Sequence, residues 1–464
     1  MNKIISIAGA SGVGKTTIAN LLHMSMKENQ SIIVSGDDMH LWERGHKNWQ
    51  TYTHLNPISN NLEKGIFDLK QLVNGNIIYR NMYSHETGKF IRDAMLFPKE
   101  YIIHEGLHSL YSEFSDISHI KIYVSTSNDL KVKWKINRDT NKRGYTPEQV
   151  RMAIEKRRPD EERYITPQKN NADINITFVE INDNIEMKIQ IIKNNDSTSN
   201  LALRLRTLYD RFQELIKVST IISHDKSLSI NSGGNISFKQ GDKMIVSASG
   251  KDFSDISLFT GYIPVYTRSL KKAIVSSERP SMESRIHKLY EGTEQSCVLH
   301  LHPVYLNIFL CTTDGMEIIE EIMAEAGIID YAIEDYATPG SKLFAQIAFK
   351  PPSPTLLLRN HGIFISRDSL SSCLEDCKKI NEICLKKMNK LNSSFVIYEE
   401  YDTCSQEKDL FPDSVVYKEK NRVLNYFIYE NIKNSNLTPR FLTVQEVKDI
   451  DNLEEEKYRK RISK

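Results

Sequence analysis

Long apolar runs are missing from this chain of 464 residues: none approaches the roughly twenty residues that a membrane-spanning helix requires, so no membrane partner is expected. Charge of one sign is missing too. Lysine and arginine number 61 against 60 aspartates and glutamates, and a formal net charge of +1 provides no field to draw nucleic acid. The six cysteines include no C-x-x-C pair. Cys373, Cys377 and Cys384 recur on one helical face, a spacing that fits core packing better than metal binding. A reducing cytoplasm is the expected compartment. The apolar segment at the N-terminus is too short for a signal peptide and runs straight into a glycine-rich loop. No internal repeat is present. This length accommodates two or three domains. The polar stretch 194–200 (NNDSTSN) reads as a linker between a first domain, 1–193, and a second, 201–464.

What is present begins with Gly9-Ala10-Ser11-Gly12-Val13-Gly14-Lys15-Thr16-Thr17, the G-x-x-x-x-G-K-[ST] phosphate loop. Its context is right: residues 4–8 form an apolar run suited to a buried parallel strand, and residues 17–26 have helical periodicity. Gly9, Gly12 and Gly14 let backbone N–H groups curl around a polyphosphate, with Ser11 and Thr17 beside it, and the helix N-terminus adds its positive end. Lys15 would reach the β- and γ-phosphates of ATP as a catalytic group, and the Thr16 hydroxyl would hold Mg²⁺.

Residues 31–35 read as a second strand that ends at Gly36-Asp37-Asp38. A carboxylate at a strand's C-terminal edge lies beside the phosphate crevice, which makes Asp37 the candidate base; the alternative is a cap of the next helix. A third strand, 100–104, delivers Glu105 toward Mg²⁺, and a fourth spans 120–124. Thr146-Pro147-Glu148-Gln149 is a capping box that opens a new helix. The arginines on either side, Arg138 and Arg143 among them, form either a solvated face or a lid that neutralises the transferring phosphoryl group.

These pieces, with Asn56-Pro57-Ile58-Ser59-Asn60, Tyr83-Ser84-His85-Glu86-Thr87-Gly88 and His104-Glu105-Gly106-Leu107, resemble the uridine kinase and phosphoribulokinase family of P-loop kinases. The resemblance implies an α/β fold with a parallel sheet flanked by helices, and transfer of the ATP γ-phosphate to a hydroxyl of a sugar, sugar phosphate or nucleoside. It casts Asp37 as base, Arg138 and Arg143 as lid residues, and Asn61, Tyr83 and His85 as substrate contacts. The Tyr83-x-His85-x-Thr87-Gly88 element is closer to the phosphoribulokinase side, which makes an open-chain or small cyclic sugar at least as apt an acceptor as a pyrimidine nucleoside, with a uridine, nucleoside or pentulose kinase as the alternative.

In the second domain, residues 201–218 read as an amphipathic helix, and the turns around Gly234-Asn235 and Ser249-Gly250 are either anion-binding N–H nests or plain hairpins. Cys297-Val298-Leu299-His300-Leu301-His302-Pro303 carries more information. Histidines at i and i+2 of a strand share a face and can grip one metal. Residues 355–359 read as a strand that ends at Asn360-His361-Gly362 and supplies a third imidazole. Glu283 lies upstream as base or fourth ligand.

These residues, with Pro280-Ser281-x-Glu283-x-x-x-His287 and Tyr336-Ala337-x-x-Gly340, resemble the class II aldolase and adducin family, which includes fuculose- and rhamnulose-phosphate aldolases. That resemblance implies an α/β/α fold and Zn²⁺, or another divalent metal, on His300, His302 and His361. It implies Glu283 as acid/base and Gly234, Asn235, Ser249, Gly250 and Ser281 as phosphate contacts. A homo-oligomer, a tetramer, with sites at subunit contacts is implied as well. The stretch 316–323, where the fuculose-phosphate enzymes place a proton-donor tyrosine, has none. The expectation is a bifunctional enzyme in which a sugar kinase is fused to a zinc-dependent sugar-phosphate aldolase. Epimerase, dehydratase and adducin-like oligomerisation roles are alternatives for the second domain.

Overall fold

The computed structural model describes residues 2–182, 184–229, 233–274, 276–290, 297–350, 353–392, 394–398 and 408–462. Its contacts divide the chain between Asp210 and Arg211 into two compact units.

The first unit is α/β. Its strands are β1 (Lys3–Gly9), β2 (Ser31–Ser35), β3 (Ile78–Tyr83), β4 (Phe90–Leu96), β5 (Tyr101–Glu105), β6 (Ile120–Thr126), β7 (Ile174–Ile181) and β8 (Asn184–Ile191). Six of them form a sheet in the order β2-β5-β1-β6-β7-β8, parallel through β7 and closed by antiparallel β8; β3 and β4 pair separately as a hairpin. β1 is buried from Ile4 onward, as expected of an isoleucine-rich strand covered on both faces. Ile4 packs with Val34, Leu69, Leu72, Ile102 and Phe114. Register aligns Glu105 with both Ser35 and Ile7, so β2, β5 and β1 finish together at one sheet edge. There β1 lies between β5 and β6, the kind of crevice in which open α/β sheets bind ligands. The expected capping box is present at the start of the helix Pro147–Asp160.

The second unit has a seven-stranded sheet in the order β11-β10-β9-β12-β15-β14-β13. These strands are β9 (Asn235–Gln240), β10 (Lys243–Ser247), β11 (Tyr262–Tyr266), β12 (Cys297–Leu301), β13 (Tyr331–Glu334), β14 (Thr355–Leu358) and β15 (Gly362–Arg367). All neighbours are antiparallel except β13 and β14. Val298, on the face of β12 that also carries His300, packs in a core of Ile286, Leu343, Leu358 and Phe364. Cys373, Cys377 and Cys384 are buried along the helix Leu370–Leu391, as packing requires.

The polar stretch 194–200 has a different role from the one its composition suggests. From Asp196 onward it forms the first turn of a helix, Asp196–His224, that contains the Asp210/Arg211 division. Asn195 and Thr198 hydrogen-bond reciprocally, backbone N–H to side-chain oxygen in each direction at 3.1 Å, so the polar residues act as a helix start. Among the described residues no helix is long and apolar enough to cross a membrane.

Candidate active sites

In the first unit the loop between β1 and the helix Lys15–Ser25 holds the expected residues together. Gly9 has φ +151°, and a Cβ there would lie 2.2 Å from the Val124 carbonyl oxygen, so no side chain fits where the loop leaves the sheet. Ser11 and Gly12 follow, and Gly14 (φ +97°) precedes the helix whose first turn contains Lys15, Thr16 and Thr17. Lys15 Nζ donates to the Ala10 carbonyl at 2.9 Å, and burial lowers its pKa. The Thr16 hydroxyl donates to Glu105 Oε1 at 3.3 Å; burial raises the Glu105 carboxyl, opposed by Lys15. Lys135, from the helix Asn128–Arg143, lies across this loop with Nζ 3.3 Å from Ser11 Oγ. Burial, then the charges of Arg157 and Arg138, bring its ammonium down to about 7.

Asp37 and Asp38 separate cleanly. Asp38 is 9% exposed, accepts from the Tyr83 N–H at 2.7 Å and pairs with Arg80 at 3.6 Å; burial raises its pKa. It anchors the β3–β4 hairpin. The Asp37 side chain is 30% exposed and faces His85, whose Nε2 lies 3.1 Å from Oδ2. Burial pushes the Asp37 carboxyl up, but the hydrogen bond from His85 and the nearby imidazole of His40 outweigh it, holding it well below the ordinary value. Arg143 Nη2 lies 3.1 Å from His85 Nδ1. A guanidinium only donates, so Nδ1 accepts, Nε2 carries the proton, and donation runs Arg143 to His85 to Asp37. Asp139 gathers Arg138 at 2.8 Å and Arg143 at 3.3 Å. The basic helix is therefore tied to the Asp37 end of the site and is more than a solvated face.

Asn61 is placed differently from the reading as a substrate contact. It is exposed and caps the helix Leu62–Val73, its Oδ1 accepting from the Lys64 N–H at 3.1 Å. Its neighbour Asn60 turns inward and accepts from His40 Nδ1 at 2.7 Å. Tyr83 meets His40 and His85 edge-on, with ring centroids 5.3 Å apart in each case. His40, Asn60 and Lys135 stand at the site without individual signals in the sequence, because which of several adjacent polar residues turns inward depends on the fold of the segments between the strands.

In the second unit the three histidines converge. Their ligand atoms lie within 4.8 Å of one another, the one such group of histidine, cysteine and carboxylate side chains with metal-ligand spacing among the described residues. His300 Nδ1 donates to the Ile363 carbonyl at 2.9 Å, and its ring stacks on Phe364 with centroids 3.9 Å apart. His302 Nδ1 donates to Asp413 Oδ2 at 2.6 Å. Each Nε2 therefore carries a lone pair, and the two Nε2 atoms are 3.0 Å apart. Burial, then His302, lowers His300 well below the ordinary value, and burial lowers His361 to about 3, so both rings stay neutral, as metal ligands must. Two lone pairs in contact repel, and a cation between them turns the repulsion into ligation. The donor set, all imidazole and rigidly oriented, fits a divalent metal such as zinc.

Glu283 caps this cluster, with its oxygens 3.3 Å from His300 Nε2 and 3.5 Å from His361 Nε2. Asn235 Nδ2 donates to Glu283 at 2.7 Å, and the Asn235 carbonyl accepts from His287 Nε2; His287 Nδ1 in turn pairs with Ser237 Oγ at 2.6 Å. Burial lowers His287 to about 3. The Asn235 side chain, read as a phosphate contact, is therefore committed to Glu283 and His287. Gly234, Ser249, Gly250 and Ser281 do line one pocket with Glu283, His302 and His361. At Gly234 a Cβ would lie 2.4 Å from the His300 carbonyl oxygen, so its glycine serves close strand packing. The Ser249 N–H, in one of the two turns, already bonds the Arg279 carbonyl at 2.8 Å, and the Ser281 N–H bonds the Ser247 carbonyl at 3.2 Å, so neither of these two N–H groups points at an anion. Asp413, 111 positions beyond His302, is the residue that sequence reasoning left without a role at this centre.

Residues 4–184 match the Phosphoribulokinase / Uridine kinase family, and residues 213–386 match the Class II Aldolase and Adducin N-terminal domain. Similar curated proteins include the phosphoribulokinase of Synechocystis sp., 34% identical over 172 residues, covering 37% of this chain and 52% of that protein. The uridine kinase of Staphylococcus epidermidis is 34% identical over 179 residues, covering 37% of this chain and 85% of that one. The chain spans about half the length of the phosphoribulokinases it matches. Among solved structures, an L-fuculose 1-phosphate aldolase aligns with 23% identity and a TM-score of 0.33, covering 40% of this chain and 89% of that one. Through its first unit the chain belongs to the phosphoribulokinase and uridine kinase family, and behind that kinase domain it carries a class II aldolase-type domain.

Proposed function

We propose that the chain is a bifunctional enzyme of sugar metabolism, which phosphorylates a ketose-like sugar in its first unit and cleaves a sugar phosphate in its second. The observation that carries this is the presence on one chain of two sets of reactive groups: a phosphate loop with the ionised Asp37 near its lysine, and three clustered histidines, two of which face Glu283. In the first, Asp37 accepts the proton of the attacking hydroxyl while Lys15, Lys135, Arg138 and Arg143 hold the charge of the transferring phosphoryl group, with Mg²⁺ near Thr16 and Glu105. In the second, His300, His302 and His361 hold a divalent metal, zinc in this reading. Bound there, it would polarise the carbonyl and neighbouring hydroxyl of the sugar. Glu283, kept in place by the Asn235 amide, takes the proton of the hydroxyl whose carbon leaves as an aldehyde when the C–C bond breaks, and returns it to the carbon left behind.

One observation favours a second reading. No tyrosine is among the described residues that line the pocket of the second unit, so the usual aldolase proton donor has no counterpart within it. Neither epimerisation nor dehydration releases a second carbon fragment, and the proton that a hydroxyl takes up on leaving as water can come from Glu283. The test is a screen of ketoses, pentuloses and nucleosides with Mg-ATP, following ADP and triose phosphate in the same wells. ADP with a ketose followed by triose phosphate supports the coupled reading. ADP release with a carbon skeleton that stays intact supports epimerase or dehydratase chemistry. Turnover of nucleosides alone overturns the ketose assignment.

A further inference from the structure

The last helix described, Glu454–Ile462, reaches the metal-type pocket of the second unit. Arg459 Nη1 binds both oxygens of Glu456, at 2.8 and 3.1 Å, and the Glu456 side chain is 2% exposed. Arg459 Nη2 lies 3.8 Å from Asp413 Oδ1, while Asp413 Oδ2 accepts from His302. The guanidinium lies over the Tyr417 ring, 5.3 Å from its centroid. Next to it, the Tyr458 ring receives Arg279 at 4.6 Å, so the helix is held from two sides. A carboxylate gripped only by His302 could rotate about its own side chain; an ion pair on its second oxygen restricts that rotation. Arg459 also separates two buried carboxylates, Asp413 and Glu456, that would otherwise repel.

We propose that Arg459, locked by Glu456, is a positioning residue for the three-histidine centre: it holds Asp413, which keeps the proton on His302 Nδ1 and aims Nε2 at the metal. The C-terminal helix thereby completes a centre whose ligands all lie 90 or more residues upstream. This rests on the reading of the histidines as a metal site.

The experiment uses the full chain, stripped of metal and titrated with zinc against a chromophoric chelator. Arg459→Met keeps much of the stem that packs on Tyr417 and should weaken zinc binding about tenfold, with Asp413→Asn weakening it about 10–100-fold. In the double variant, Arg459→Met should add little to Asp413→Asn, because both act through the same carboxylate. Glu456→Gln should weaken binding severalfold, and Lys457→Ala, whose ammonium pairs with its helix neighbour Glu454 among the described residues, should leave it unchanged. Thermal unfolding of the stripped proteins separates folding from ligation. Parental zinc affinity in Arg459→Met, even with a lowered melting temperature, overturns the proposal, as do fully additive effects of Arg459→Met and Asp413→Asn. An unaltered chain that takes up no divalent metal overturns the metal reading itself, and this inference with it.

Discussion

Replacing Lys135 by methionine should abolish a proton uptake that accompanies ATP binding. The Lys135 side chain is 3% exposed, lies on the phosphate loop, and shares its surroundings with Arg138, Arg143 and Arg157. Its ammonium is brought from the ordinary 10.5 to about 7, which disfavours the charged form by about 5 kcal/mol relative to water. At pH 8 only about a tenth of the unliganded protein therefore carries this charge. A triphosphate in the loop supplies the missing anion and returns the pKa toward the ordinary 10.5, so at pH 8 binding should take up about 0.9 proton per complex. The sign follows directly: the complex binds more protons than the free protein, so ATP affinity falls as pH rises above 7. Between pH 8 and 9 the fall should approach tenfold. Calorimetric titrations of Mg-ATP at pH 8, in two buffers of different ionisation enthalpy, measure the proton count. Lys135→Met should give a value near zero and a flat affinity over this range. Equal uptake in the parent and in Lys135→Met would refute the argument.

Asp37→Asn should cut phosphoryl transfer by about 10²–10⁴-fold while ATP binding changes little, since the side chain faces His85 rather than the loop backbone. ADP release beside a direct binding measurement decides it, and full transfer in the variant would remove Asp37 as base. Asn235→Leu should leave zinc bound and reduce proton abstraction in the second unit about 10–100-fold, because Glu283 loses its only amide donor from β9. Solvent hydrogen exchange into the sugar phosphate, read beside metal content, checks this. Gly9→Ala should destabilise the first unit by more than about 1 kcal/mol, given its φ of +151° and the Val124 oxygen 2.2 Å from the new Cβ. The midpoint of urea unfolding measures the loss.

Much of this was legible in the chain because the signals are local. A phosphate loop needs its glycines and lysine at set spacings, and residues 9–17 have them. A strand followed by a carboxylate, as at Asp37 and Glu105, puts that carboxylate at a sheet edge. Two histidines two apart on a strand share a face, and His300 and His302 do so in β12. Polar composition misled where polarity has two uses. Residues 194–200 looked like a linker, but the Asn195–Thr198 pair starts a helix, a role for which polar side chains are equally suited. Asn61 looked like a substrate contact and caps a helix, while Asn60 beside it turns inward to His40.

Residue order and spacing along the backbone were enough to pick out the phosphate loop, the three imidazoles and the two carboxylates Asp37 and Glu283 as candidates. They could not reveal the partners that orient these groups. Arg143 reaches Asp37 through His85 across 58 positions, and Asp413 reaches His302 across 111. Hydrogen bonds act over about 3 Å of space, and no periodicity records which distant segments the chain brings within that reach. Folding alone settles it, because burying these polar groups is tolerable only where each finds its partner.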